Sequence, residues 1–221
     1  MNPHQDWLIW QLADSAFPTG GFGHSGGLEA AWQLGEVRTE AQLAGFIEAT
    51  LHQFGQAAMP FVNDAHRDPQ RLAELDQLCD AFTTNHVANR ASRAQGRSFL
   101  ASIEKSFAAG ALSELRNQAR ELNGHFAPAF GVVTRLLEIQ RSLALRLYLF
   151  LQLRGTISAA VRLGIIGPIA AQGLQHRLSA VAEEVATRNE QRTTDHIAQT
   201  APLLDILQGA QDRLYSRLFQ S

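Results

Sequence analysis

Residues 143–154 read Leu143-Ala144-Leu145-Arg146-Leu147-Tyr148-Leu149-Phe150-Leu151-Gln152-Leu153-Arg154. The leucines alternate with other residues, and a period of two favours a β-strand. Leucine, alanine, arginine and glutamine are, however, good helix formers, and the stretch contains no β-branched residue. It also lacks turn residues on either side. We therefore predict a central helix that is apolar on most of its circumference and buried between other helices.

Apolar residues also recur at helical spacing along much of the rest of the chain. One stripe, which Thr39 would cap, consists of Leu43, Phe46, Ile47, Leu51 and Phe54. Pro60 should bend or end that helix. A second stripe follows the N-cap pair Asp68-Pro69 and consists of Leu72, Leu75, Leu78, Cys79 and Phe82.

Breakers and caps bound the remaining helices. Ser113 is a predicted N-cap, Gly124 ends the same helix, His125–Gly131 is predicted to be a loop marked by Pro128, and Gly164–Pro168 is a break. The segments predicted to be helical are residues 114–123, the run from that loop to about Leu163, 169–189, and 195–219 with a kink near Pro202. The sequence therefore predicts an all-α fold, a single domain over residues 1–221 with roughly eight to ten packed helices.

Composition narrows the class of protein. The 221 residues are 45% hydrophobic, enough for a sizeable core, and a net charge of −2 gives no electrostatic reason to bind nucleic acid or acidic membranes. The single cysteine, Cys79, excludes an internal disulfide framework and is predicted to be a buried structural thiol. No arginine or lysine precedes Arg38, and no apolar run approaches the ~20 residues of a membrane span. We expect a cytoplasmic protein without a secretory signal.

A second informative stretch, residues 17–29, reads Phe17-Pro18-Thr19-Gly20-Gly21-Phe22-Gly23-His24-Ser25-Gly26-Gly27-Leu28-Glu29. Glycine at this density indicates positive φ angles or close backbone approaches, and a positive φ is predicted at Gly21. The spacing Gly21-x-Gly23-x-x-Gly26 imitates a dinucleotide-binding fingerprint, but no strand precedes it, and no phosphate-loop lysine occurs. The segment is therefore either a structural turn between two helices or a partner-binding loop.

Arginine dominates the positive charge, with 18 arginines and one lysine. Residues 139–182 contain no acid, although they include Arg141, Arg146, Arg154, Arg162 and Arg177. Arg90, Arg93 and Arg97 follow at spacings i, i+3 and i+7, which places them on one face of a helix. These arginines are predicted to find partners elsewhere in the fold or on another protein.

The residues that carry chemistry form no recognisable constellation. The eight histidines include no pair at i+4 spacing, and no Cys-x-x-Cys or His-Glu-x-x-His motif occurs. The adjacent pair Glu183-Glu184 does not share a helix face, so it is not a catalytic carboxylate pair. We therefore predict a binding or scaffolding protein rather than an enzyme.

Five stretches, in chain order, resemble the urease accessory protein UreF family. They are Leu12–Phe22 with His24-Ser25-x-Gly27-Leu28-Glu29, Asn89-Arg90-Ala91-Ser92-Arg93-Ala94-Gln95-Gly96, His125–Gly131, Ser158–Leu163, and Arg217-Leu218-Phe219-Gln220-Ser221. The family often has Tyr where this chain has His24 and Gln where it has Pro168. Both departures are similar to the plant-like branch of the family.

The resemblance implies an all-α adaptor in urease maturation. Members form a homodimer, join UreD (also called UreH), recruit the GTPase UreG and dock on apo-urease, whose active site takes two nickel ions. The resemblance implies no permanently bound cofactor, transient handling of nickel, and GTP bound only by the partner GTPase. The alternative is a helical enzyme or an unrelated interaction module that binds an anionic ligand at Gly20–Gly27.

Predicted partner-binding residues lie mainly in this loop and at residues 213–221. They are Phe17, Pro18, Gly20, Gly21, Phe22, His24, Ser25, Gly27, Leu28, Glu29, Arg90, Arg93, Arg213, Tyr215, Arg217, Leu218 and Phe219. No catalytic residue and no permanent metal ligand is predicted; His24 either contacts nickel transiently or hydrogen-bonds a loop carbonyl. The apolar stripe Leu214, Tyr215, Leu218 and Phe219 docks on its own core or on a partner, and the resemblance favours UreD.

Overall fold

The computed structural model describes residues 3–107, 112, 115 and 121–221. Its α-helices there, in chain order, are α1 Pro3–Ala13, α2 Leu28–Gln33, α3 Glu40–Ala57, α4 Met59–Arg67, α5 Leu72–Phe82, α6 His86–Ser106, α7 Phe126–Leu136, α8 Arg141–Arg162, α9 Pro168–Asn189 and α10 Pro202–Gly209. The described ranges contain no β-strand, which confirms the all-α prediction. The helix predicted over 114–123 falls mainly on residues outside these ranges.

The alternating leucines form the central helix α8, as predicted. Their side chains are buried on several sides of the helix, at Leu145, Leu147, Leu149, Leu151 and Leu153. The helix packs against α1, α2, α3, α4, α7 and α9, so it has neighbours around most of its circumference. Burial of each leucine stabilises the fold by roughly 2 kcal/mol relative to exposure, which makes α8 the main apolar contributor to the core.

Capping signals place the first long helices correctly. The Thr39 side chain accepts a hydrogen bond from the Gln42 amide, and Gln42 bonds back to the Thr39 amide, forming a capping box at the start of α3. Pro60 lies in the first turn of α4, directly after α3 ends at Ala57. Cys79 is buried on α5, and burial raises the pKa of its thiol to about 12, which confirms a structural role.

The loop predicted over His125–Gly131 is wrong. The chain turns helical at Phe126 and forms α7, with His125 as its N-cap. Pro128 is tolerated because the first amides of a helix have no intrahelical partner, so its missing N–H costs nothing there. The helical run predicted to reach Leu163 is also interrupted, because Glu138 has φ 57° between α7 and α8.

Asp76 and Asp80 of α5 fix the start of α7. The Asp76 carboxylate accepts hydrogen bonds from the amides of residues 123–125 at 2.6 to 3.0 Å. The buried His125 ring bridges the Asp80 carboxylate at 3.1 Å and the Ser92 hydroxyl at 3.0 Å. Carboxylates at a helix N-terminus also interact favourably with its dipole, so this network locks α7 to α5 and α6.

The helix predicted over residues 195–219 is wrong over most of its length. The structure has a short 3₁₀ turn at Thr194–His196, the helix α10, a second 3₁₀ turn at Ala210–Arg213 and a non-helical segment to Ser221. The apolar side chains at the end of the chain therefore do not form a helical stripe. Their backbone instead pairs with a distant loop, as described below.

Most arginines of the acid-free segment find partners within the fold, as one of the two predicted alternatives requires. Arg146 forms an ion pair with Glu183 at 2.6 Å, Arg177 pairs with Glu40, and Arg141 lies 3.9 Å from Glu190.

Among the residues that the structure describes, no helix combines the length and the apolar character that a membrane span requires.

Candidate functional site

The loop of residues 17–29 connects α1 to α2 and has the constrained backbone that its glycines indicate. Positive φ angles occur at Gly20 (79°), Gly26 (62°) and Gly27 (89°). The positive φ predicted at Gly21 is wrong, because the neighbouring Gly20 takes the left-handed conformation instead. A Cβ added to Gly20 would lie 2.9 Å from the Cβ of Ser98 on α6, so side-chain volume is excluded there as well.

The tail of residues 213–221 lies against this loop and pairs with its main chain. The amide and the hydroxyl of Ser25 both donate to the main-chain oxygen of Ser221, at 2.6 and 3.0 Å. The Gln220 amide donates to the carbonyl oxygen of Gly23 at 2.9 Å. Phe219 is buried, so the tail docks on its own chain.

Glu29 is the buried carboxylate that holds the tail. Its oxygens accept hydrogen bonds from the amides of Leu218 and Phe219 at 2.6 and 3.0 Å and from the side chain of Gln211 at 2.7 Å. The residue is 2% exposed. Hydrogen bonds to a charged acceptor are each worth roughly 1.5–3 kcal/mol, so Glu29 fixes the turn between α10 and the tail.

Arg162, near the end of α8, joins the loop to the tail through their aromatic rings. Its guanidinium carbon lies 3.7 Å from the ring centroid of Phe22 and 4.2 Å from that of Phe219. One of its nitrogens also donates to the Phe22 carbonyl oxygen at 2.5 Å. A planar cation between two rings anchors both segments to the core.

Asp212 gathers positive side chains where the tail begins. Arg90 of α6 donates to both of its carboxylate oxygens, at 3.0 and 2.7 Å, while Arg217 and His86 approach to 3.1 and 3.2 Å. The hydrogen bonds from Arg90 hold the pKa of Asp212 below its ordinary value. This ion cluster ties α6 to the tail at the protein surface.

His24 is half-buried rather than fully accessible. Its Nδ1 lies 2.6 Å from the Ser221 hydroxyl, so the imidazole takes part in the contact between loop and tail. Burial lowers the pKa of His24, and the charge of Arg90 lowers it further, so the ring is neutral near pH 7. In the described part of the chain, no group of three His, Cys, Asp or Glu side chains is arranged to hold a metal ion.

The predicted partner-binding residues divide into buried and exposed sets. Several have buried side chains or pack inside the fold, namely Phe17, Ser25, Leu28, Glu29 and Phe219. Exposed ones include Phe22, Arg90, Arg213, Tyr215, Arg217 and Leu218, whereas Arg93 is half-buried. The loop and the tail, which includes Arg217, lie in contact with Arg90. We call the loop, the tail, Arg90, Arg162, Gln211 and Asp212 the tail–loop unit.

Three residues of this unit were absent from the predicted site. In the sequence, Arg162 stands out only as an arginine without a nearby acid. Its position relative to the aromatic residues does not indicate that it contacts two rings. Gln211 and Asp212 lie within the segment predicted to be helical, where they would be ordinary surface residues. Each contacts a residue at least 120 positions away in sequence, as in the bonds from Gln211 to Glu29 and from Arg90 to Asp212. Periodicity carries no signal for such contacts.

Comparison with known proteins assigns the fold to a family. The family model UreF matches residues 37–179. The urease accessory protein F of Oryza sativa subsp. indica is 40% identical over 225 residues, covering 99% of this chain and 86% of the relative. That of Arabidopsis thaliana is 38% identical over 226 residues, covering 97% and 92%.

A bacterial relative is similar over nearly the same span. The urease accessory protein UreF of a Bradyrhizobium species is 31% identical over 212 residues, covering 93% of this chain and 88% of the relative. The match of the family model to more than half of the chain, and these near full-length relatives, agree with each other. The chain therefore belongs to the UreF family of urease accessory proteins.

Proposed function

We propose that this chain is a non-enzymatic adaptor for nickel insertion into urease. In this role it joins UreD (also called UreH), recruits and modulates the GTPase UreG, and docks the assembly on the urease apoprotein. Nickel is a cargo handled transiently, GTP is bound by UreG alone, and no cofactor is held permanently. The adaptor works in the cytoplasm as a homodimer. Membership in the UreF family supports this proposal.

The observation that carries the proposal is the surface of the tail–loop unit. Phe22, Tyr215 and Leu218 expose 72%, 104% and 53% of their surface, although Glu29 holds the Leu218 amide and Arg162 holds the Phe22 carbonyl oxygen. Large apolar side chains on a fixed frame, beside the arginines around Asp212, resemble the aromatic and arginine-rich composition of protein interfaces. A rigid frame also lowers the entropic cost of binding.

The loop offers less to an anionic ligand, which is the alternative function. The amides of Gly21, Gly23 and His24 donate within the loop, and that of Ser25 donates to Ser221. Because these donors are already engaged, an anion would have to displace acceptors of the loop to reach the first three amides and the tail to reach that of Ser25. We therefore prefer the adaptor to a helical enzyme or to an unrelated module that binds an anion.

Co-purification with the UreD and UreG homologues of its own host tests the proposal. The Leu218→Asp variant should lower the recovery of at least one partner about tenfold, because a charge would be desolvated at the interface. The matched control is Trp7→Asp on α1, since Trp7 is 69% exposed but lies outside the loop and the tail. Equal recovery with both variants, or no complex with the unaltered chain, would contradict the proposal.

A further inference from the structure

A cavity of about 210 Å³ lies beneath α10 and the loop, inside the helical bundle. Its walls come from α3, α5, α6, α7 and α8, and α10 forms part of its roof. Most of the lining is apolar, and four aromatic residues contribute to it. The wall residues that matter here are Phe54, Phe82, Phe126, Tyr148 and Gly155, with Leu204 in the roof.

Tyr148 is one of the polar residues that line this cavity, with Gln152, Gln208 and Asp205 among the others. The residue is 3% exposed, and its hydroxyl makes no hydrogen bond with the residues that the structure describes. Burial raises the pKa of this hydroxyl, so it stays protonated and can donate. The lining hydroxyls of Thr50 and Thr156 differ, since each donates to a carbonyl of its own helix. A hydroxyl that borders the cavity and has no partner in the protein can donate a hydrogen bond to a ligand that carries an acceptor.

The volume sets the size of that ligand. An engineered apolar cavity of about 150 Å³ in another protein holds benzene, so about 210 Å³ accommodates one aromatic ring with a small substituent. We propose that this cavity binds a monocyclic aromatic molecule bearing one hydrogen-bond acceptor, such as phenol, and that the Tyr148 hydroxyl donates to that acceptor. The proposal does not rest on the adaptor function, because the ligand would contact this chain alone, although Gly21, His24, Ser25 and Ser221 of the tail–loop unit also line the cavity.

The first experiment separates the hydrogen bond from simple filling of space. Calorimetric titration of the full chain with phenol and with toluene gives the ratio of the two affinities. We expect this phenol-to-toluene ratio to fall about tenfold in Tyr148→Phe, because the variant loses the donor while keeping the ring. An unchanged ratio in a folded Tyr148→Phe variant would overturn the assignment of Tyr148.

The second experiment fills the cavity. A Cβ added at Gly155 meets nothing within 4 Å, so Gly155→Met extends into space that is open in this chain. The matched control is Gly45→Met, since Gly45 lies on an exposed face of α3 and its added Cβ also meets nothing. Both replacements favour the helix, so both variants should fold, as circular dichroism will check.

Binding of phenol should fall at least tenfold in Gly155→Met and stay unchanged in Gly45→Met. Equal phenol affinity in both variants would overturn the site. The absence of saturable binding of either compound to the folded, unaltered chain would also overturn it, and would leave a cavity that holds water only.

Discussion

Two regions of the molecule are stabilised by different interactions. One is the core around α8, and the other is the tail–loop unit. The α8 leucines contribute through burial, which depends on volume and scarcely on direction. The unit depends on directed hydrogen bonds between residues up to about 190 positions apart, such as Glu29 and Phe219. The comparison teaches that the same chain should tolerate isosteric changes in its core and respond strongly to them in the unit.

The largest effect is expected from Glu29→Gln. This change keeps the shape of the side chain, but it removes the charge and replaces one acceptor oxygen with an NH₂ donor that faces N–H donors of the tail or of Gln211. We expect a loss of about 3 kcal/mol in the free energy of unfolding, measured by urea denaturation. The isosteric core change Leu149→Met should cost less than about 1.5 kcal/mol.

The control for this prediction is Glu184→Gln, which alters an exposed glutamate paired with Arg188 on α9. An exposed i, i+4 pair contributes at most about 0.5 kcal/mol, so this variant should match the unaltered chain. Hydrogen exchange of residues 213–221 should accelerate in Glu29→Gln alone. If Glu29→Gln lowers the free energy of unfolding no more than Leu149→Met does, the proposed contrast between the two regions is contradicted.

The next largest effect is a difference in stability between valine variants of two neighbouring glycines, Gly20 and Gly21. The structure predicts that Gly20→Val costs about 2–4 kcal/mol, because a β-branched residue at positive φ is strained and its Cβ meets Ser98. Gly21→Val should cost about 1 kcal/mol or less, since its Cβ would meet the flexible end of Gln95 at 3.0 Å and the Thr19 hydroxyl at an ordinary contact distance of 3.5 Å. Thermal denaturation and urease activation in cells should rank the two variants in this order, and the reverse order would contradict the observed backbone.

Local signals in the sequence account for much of the fold. Propensity identifies α8 despite the alternating leucines, and Thr39 as an N-cap residue identifies the start of α3. Pro128 led to the wrong prediction of a loop, because a proline indicates a helix break unless the start of the helix is already known. The start of α7 depends on Asp76, 49 positions before the His125 amide, and no local pattern contains that contact.

The tail was harder to predict for a related reason. Residues 202–219 have good helix formers and apolar residues at helical spacing, so propensity favours one continuous helix. Three directed bonds to Glu29 outweigh that preference over Leu218 and Phe219. The resemblance named the loop and the tail as site residues, but their contact and the role of Arg162 required the structure.

A smaller effect is expected when the cation between the two rings is altered. Arg162→Lys keeps the charge but loses the planar stacking on Phe22 and Phe219, which should cost about 1–2 kcal/mol. The control Arg188→Lys changes an exposed arginine and should cost nothing measurable. Hydrogen exchange of residues 213–221 should accelerate in Arg162→Lys only. Equal exchange rates in both variants would show that the guanidinium of Arg162 is not required to hold Phe22 and Phe219 in place.

The smallest effect is a pH dependence of the contact between His24 and Ser221. Because burial lowers the pKa of His24 in the folded chain, the unfolded chain binds more protons between that value and 6.5. Stability therefore rises with pH in this window, and it falls as the pH drops from 7 through the folded pKa. The pKa of His66 is lowered as well, so both histidines contribute to the slope. His24→Asn should reduce the slope of the unfolding free energy between pH 7 and 5 while leaving the part due to His66. If the slope is unchanged, burial and the charge of Arg90 do not hold the His24 ring neutral.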